Sequence, residues 1–219
     1  MGYSEINAET IDRWVQEGWE WGVPIGHEEF LAAKEGRWSV KLTPVKPVPA
    51  DWFPEMEGTR VLGLASGGGQ QIPIFAALGA ACTVLDYSPR QIESERMVAE
   101  REDYSVEAVR ADMTKPLPFA DGSFDLIFHP VANCYIEEVK PLWRECFRVL
   151  KKEGRLMAGL DNGINFLFND EEDLTVRYRL PFNPLKDTAL MEELRRQNAG
   201  VKFSHTLEEQ IRGQLEAGF

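Results

Sequence analysis

Hydrophobic positions along the chain recur with a helical period at both ends and as short apolar runs in the middle. Ile11, Trp14 and Val15 fall on one helical face and Gly18 supplies a stop, so the first segment is expected to be a helix. A second short helix is expected over residues 27–35, closed by Gly36. Pro44, Pro47, Pro49 and Pro54 then impose an extended connection. From Thr59 the pattern changes. Residues 60–64 read as a strand running into Ala65-Ser66-Gly67-Gly68-Gly69, followed by a helix to about Leu78 that Gly79 ends. Residues 82–86 form the next expected strand, and Ser88-Pro89-Arg90-Gln91 opens a long helix with the full pattern of a capping box. Further strands are expected at 106–110, 124–128 and 155–160. Between the last two lies a helix whose inner face carries Leu142, Cys146, Val149 and Leu150, with Gly154 as its stop.

Strands separated by helices of this length require crossover connections, hence a parallel sheet covered on both faces. The expected fold class is therefore α/β, a Rossmann-like doubly wound parallel sheet. The tail is less regular: an acidic loop at 170–173, strand-like alternation at 174–180, a helix at 188–197, a short strand at 201–203 and a last helix starting at Thr206. Five of the six tryptophans lie before residue 53. This change of character divides the chain into an N-terminal helical and extended cap, 1–57, and a main domain, 58–219, with 164–204 as an insertion over its pocket.

Composition narrows the class. The 219 residues are 43% hydrophobic, enough for a substantial core, and carry a net charge of −12, which argues against nucleic acid as a partner. No apolar run approaches the ~20 residues that span a bilayer, so no membrane partner is expected. The N-terminus lacks the basic and apolar start of a signal peptide, and Ile6 stands where a myristoylation motif wants Ser or Thr. Cys82, Cys134 and Cys146 are odd in number and far apart, which points to the cytoplasm and to no metal site.

A glycine-rich turn between a first strand and its helix serves three nucleotide chemistries, and spacing separates them. Gly63 and Gly68 have the separation of a phosphate-binding loop, but Gly69 and Gln70 occupy its Lys and Ser/Thr positions. Gly67 and Gly69 supply two glycines of a dinucleotide fingerprint, but Ile72 holds the third place, which disfavours a nicotinamide oxidoreductase. S-adenosylmethionine carries a sulfonium and no phosphate, and needs an acid after the second strand for its ribose hydroxyls; Asp86 is placed for that.

The run Val61-Leu62-Gly63-Leu64-Ala65-Ser66-Gly67-Gly68-Gly69, then Val84-Leu85-Asp86-Tyr87-Ser88-Pro89, Ala111-Asp112-Met113, Leu117-Pro118-Phe119 and Ser123-Phe124-Asp125-Leu126-Ile127, resembles the class I S-adenosylmethionine-dependent methyltransferases, in their small-molecule, type 11-like branch. The resemblance spans residues 58–162 and is echoed at 204–207 and 215–219. It implies that Ala65, Ser66, Gly67 and Gly69 approach the cofactor, that Asp86 binds ribose, that Tyr87 lies against adenine, and that Asp112 accepts from the adenine amino group beside Met113. The implied activity is methyl transfer to a small-molecule acceptor; the alternative is a non-catalytic or regulatory cofactor-binding protein on the same fold. Two departures stand out. Gly63 replaces the family's usual acid, removing one anchor for the methionine end, and Ala65 replaces a glycine. The chain also reaches Phe219 where the family's closing antiparallel strand pair would begin, so that pair is expected to be missing, the chain being either truncated or naturally short.

Methyl transfer needs a base only when the acceptor carries a proton. His129 follows the fourth strand and is expected at the crevice, near the cofactor, as a base or as a shaping residue; Asn133 and Tyr135 are candidates for orienting the acceptor. His205 reads as a cap of the last helix that can also face the pocket. Trp14 and Trp52 are expected to anchor the cap by packing, whereas Trp21 and Trp38, beside turn residues, are candidate acceptor contacts.

Overall fold

The computed structural model describes residues 2–168 and 175–219. The chain opens with α1 (Tyr3–Gln16) and α2 (His27–Lys34), each entered through a glycine whose N–H donates to a glutamate three residues on, Gly2 to Glu5 and Gly26 to Glu29. The proline-rich stretch bends over 42–45, where an antiparallel bridge joins Lys41 to Pro47, and makes a tight turn at Ala50–Trp52. Then follow β1 (Arg60–Leu64), α3 (Gln71–Ala77), β2 (Ala81–Asp86), α4 (Pro89–Glu102), β3 (Val106–Arg110), β4 (Phe124–His129), α5 (Lys140–Val149) and β5 (Leu150–Ala158). All five strands are parallel, in the order β3-β2-β1-β4-β5. The expected α/β fold is the one observed.

Strand alternation sends Val61, Val84, Leu126 and Phe128 to one face, against Ile72, Phe75 and Ile92. Leu62, Leu64, Leu85 and Ile127 go to the other, against Leu142, Trp143 and Val149. Both faces are thus dry, as a sheet built from crossovers requires. The chain leaves β1 toward β2 and β3 on one side, and later returns to β4 and β5 on the other. This reversal opens a crevice beyond the C-terminal ends of β1 and β4.

Several local expectations change. Helix α5 ends at Val149, and Gly154 lies inside β5 rather than closing the helix. The register of β4 against β5 shifts between Phe124 and Leu126, Glu153 turns into the left-handed region at φ 67°, and a Cβ on Gly154 would meet the Lys151 oxygen at 2.9 Å. The glycine is there for a bulge. In 175–180 the strand-like alternation is reduced to one bridge, Val176 to Phe168, and the acidic run at 170–173 lies outside the described residues. Residues 201–203 make no strand; instead Asn7 of α1 caps Val201 on both its backbone groups, accepting from its N–H at 2.6 Å and donating to its oxygen at 2.9 Å. Helix α6 (Thr188–Arg196) is as expected. The last helix passes through a wide turn, Glu208–Arg212, into α7 (Gly213–Ala217). Its cap is Thr206 paired with Glu209, and not His205. Among the described residues the sheet has no antiparallel strand pair.

Candidate functional site

The turn after β1 is pinned to its surroundings amide by amide. Ala65 N–H donates to the Leu85 oxygen at 2.7 Å, Gly67 N–H to Asp86 Oδ2 at 3.1 Å, Gly68 N–H to the Gln91 oxygen at 3.0 Å and Gly69 N–H to Glu95 Oε2 at 2.9 Å. A Cβ on Gly67 would lie 2.7 Å from Gln91 Cβ, and one on Gly69 would lie 2.6 Å from Val98 Cγ2. The glycines therefore let the turn lie flat on α4. Gly69 faces that helix and is absent from the cavity wall, which corrects the expectation that it meets the cofactor. Ala65 stands at φ 49°, the left-handed region in which a glycine would carry no penalty.

Helix α4 begins as expected with Ser88 Oγ accepting from Gln91 N–H at 3.1 Å. The reciprocal half of the box is different: Ser88 N–H donates to Asp86 Oδ1 at 3.0 Å, so the Gln91 side chain turns instead toward the glycines. Its Oε1 is buried with no partner, a polar atom left at the wall of the cleft. Asp86 is buried, which pushes its pKa up to about 6 against the opposing pull of amide donors from Ser88, Gly67 and Tyr87.

Above the turn opens a cavity of about 1110 Å³. Ala65, Ser66, Gly67, Asp86, Tyr87, Asp112 and Met113 line it. Arg110 sits over the Tyr87 ring at 5.6 Å. The cavity lining also includes aromatic side chains: Trp14, Trp19 and Trp21 from the N-terminal segment, and Phe166, Tyr178 and Phe182. Ile11 and Trp14 of the apolar stripe of α1 thus line the cavity, with the Lys202 ammonium 5.6 Å from the centre of the Trp14 ring.

Of the acceptor candidates, Trp21 and Tyr135 line the cavity. Trp38 does not; half-buried, it packs edge-on against Phe53 at 5.1 Å on the outside of the core. Trp52, expected as a packing anchor, is 56% exposed. His205 is buried away from the cavity wall, with Nε2 at 3.0 Å from the Ile136 oxygen. Asn133 is buried and donates to Gln210 Oε1 at 2.8 Å, tying the loop after β4 to the last helix. His129 is fully buried, off the cavity wall, with its ring edge-on to Trp143 at 6.1 Å. Burial lowers its pKa to about 4, so it is neutral, and Nδ1 bonds the Leu64 oxygen at 2.8 Å. This placement corrects the expectation of a histidine at the crevice. Among the described residues no histidine lines the cavity.

The loss of the acid at Gly63 has a steric counterpart. A Cβ there would lie 2.6 Å from Ile72 Cδ1, so the isoleucine fills the space that an acid would need. Residues missed by sequence reasoning are Gln70, Gln71 and Gln91 on the cavity wall and Glu95 behind the turn. The signal existed for the first two: polar residues that directly follow the glycines and open α3.

A family model described as a methyltransferase domain matches residues 62–158. An uncharacterized methyltransferase, YbaJ, of Bacillus subtilis is 43% identical over 97% of this chain and 86% of its own length. A demethylmenaquinone methyltransferase of Clavibacter sepedonicus is 37% identical over 46% of this chain and 40% of its own. The crystal structure of an S-adenosylmethionine-dependent methyltransferase from Mesorhizobium loti superposes with a TM-score of 0.60 at 21% identity, covering 77% of each chain, which shows a shared fold.

Proposed function

The chain belongs to the S-adenosylmethionine-dependent methyltransferases, and we propose that it methylates a small aromatic acceptor held between the glycine-rich turn and the tryptophans of the N-terminal segment. One observation carries this reading: a single cavity joins the Gly67–Asp86 end to a wall of Trp14, Trp19, Trp21, Tyr178 and Phe182. Flat apolar walls with a few polar groups select planar ligands. The quinone-precursor activity named for the Clavibacter relative agrees with that acceptor class.

The cofactor supplies a methyl group already activated by its sulfonium. The residues present fit it: the turn presents no bulk at Gly67, Asp86 stands next to it with a carboxylate for ribose hydroxyls, and Gln91 Oε1 lies against Gly68 without a partner. Tyr87 would lie against the adenine, with Asp112 and Met113 at its edge, and Ala65 and Ser66 along the main chain. Tyr135 and Trp21 would orient the acceptor. The rate then rests on proximity and on exclusion of water by the two covering segments. Neither His129 nor Asn133 is assigned a catalytic role. The three free thiols are all buried, which suits the reducing cytoplasm.

The test is calorimetric titration with S-adenosylhomocysteine, followed by turnover of S-adenosylmethionine with phenolic, aromatic amine and aliphatic acceptors. Asp86→Ala should weaken cofactor binding by about tenfold or more, since it strands Gly67 N–H, Ser88 N–H and the ribose hydroxyls. Equal binding by the variant would remove the ribose assignment. Turnover of aliphatic acceptors alone would remove the aromatic one.

A further inference from the structure

We infer that Glu95 is a positioning residue for the methyl-donor site, a carboxylate that holds the glycine-rich turn from behind through the Gly69 amide and so sets the affinity for the cofactor. The inference rests on the cofactor reading above. Glu95 lies on the inner face of α4 with Ile92, Val98 and Ala99, at 0% exposure, and does not line the cavity. A carboxylate in such a place is costly unless both oxygens are satisfied. They are: Oε2 accepts from Gly69 N–H at 2.9 Å and Oε1 from the Tyr104 hydroxyl at 3.0 Å. Tyr104 is in turn stacked on Phe30 of α2 at 5.7 Å.

The same glycine reaches the other way. Its oxygen accepts from Ile25 N–H at 2.9 Å, and Gln70 Nε2 donates to the oxygens of Glu20 and Val23. Glu95 therefore fixes Gly69, which with its neighbour Gln70 ties the turn to the segment carrying Trp19 and Trp21. An aliphatic side chain of similar size would pack there but would leave Gly69 N–H and the Tyr104 hydroxyl unpaired, and the turn free to shift.

The ionisable groups facing Glu95 are Asp86 and Cys82 from β2 and Tyr104 from the loop after α4. Burial pushes Glu95 up to about 7; donation from Tyr104 and Gly69 opposes this and Asp86 adds to it. Protonation removes the carboxylate's charge and so weakens the charge-assisted hydrogen bond it accepts from Gly69 N–H. Cofactor affinity should therefore fall as pH drops through neutrality. A folded-state pKa above the unfolded value also means that the ionised carboxylate costs stability above that pH. Glu95→Gln should thus raise the Tm at alkaline pH while weakening cofactor binding. A residue serving stability alone could not produce that split.

The experiment is calorimetry of the full chain with S-adenosylhomocysteine at about pH 6, 7 and 8, with thermal unfolding alongside. Glu95→Leu should lose about tenfold or more in affinity. Glu95→Gln should lose a few fold, and its affinity should be flat between neutral and alkaline pH, where the wild type still changes. Tyr104→Phe, which removes the second donor, should shift the wild-type pH dependence. If Glu95→Leu does not fold, the other two variants decide. Wild-type affinity and pH dependence in both would overturn the inference while leaving the cofactor reading intact. No binding by the wild-type chain would overturn both.

Discussion

The imidazole Nδ1 of His129 and the main-chain oxygen of Leu64 are 2.8 Å apart, at the point where β1 gives way to the glycine-rich turn. Since burial keeps the ring neutral, Nδ1–H is the donor and Nε2 is left without a protein partner. His129 therefore tethers the entry to the turn, as Glu95 tethers its exit.

His129→Phe should cost about 1–3 kcal/mol by orphaning the Leu64 oxygen, read by chemical denaturation. The folded pKa near 4 lies below the ordinary 6.5, so the stability it contributes is present above that ordinary value and lost as pH falls toward about 4. The variant should be less acid-sensitive than the wild type across that window. The pH–rate profile should keep its shape in the variant. A lost limb near the ordinary histidine pKa would show that His129 is a base after all.

Gly63→Asp should destabilise by about 3 kcal/mol or more, because the new side chain meets Ile72 and its charge is buried. Adding Ile72→Ala should recover part of the loss. Additive effects in the double-variant cycle would show that the two positions do not share that space.

Trp21 and Trp38 should separate cleanly. Trp38→Ala should lower stability by about 2–3 kcal/mol through the lost contact with Phe53 and leave acceptor KM unchanged. Trp21→Ala should raise acceptor KM several-fold with S-adenosylhomocysteine affinity kept. Comparing Tm and KM for the two variants checks both.

Ala65→Gly should raise stability by about 0.5–1 kcal/mol, because relief of the left-handed strain exceeds the added freedom of the unfolded chain. A destabilised variant in urea titration would mean that the alanine methyl contributes packing that outweighs its backbone.

What was legible in the chain followed from short-range signals. Proline runs, Ser88 with Pro89, and apolar runs ending at glycine place the elements within a few residues, since capping and backbone restriction act over one turn. Gly154 misled because a glycine after a helix and a glycine in a bulge look alike in sequence; only the pairing of β4 with β5 tells them apart. Glu95 lies three residues after Ile92 and three before Val98 on α4, and nothing local to that helix shows what such an acid meets.

By itself, then, the sequence determined the order of the main strands and helices and the parallel α/β class. Tertiary structure alone decided which side chains reach the cleft. In a parallel sheet both faces are buried, so alternation puts His129 on the face of Ile127 and opposite Phe128, but does not tell that it is closed in under Trp143 rather than open to the crevice. Likewise Trp21 and Trp38 are equal as tryptophans beside turns. Their roles diverge because the chain docks on Gly69 and Gln70 at residues 20–25 and on Phe53 at Trp38, contacts between residues far apart in sequence that no local pattern encodes.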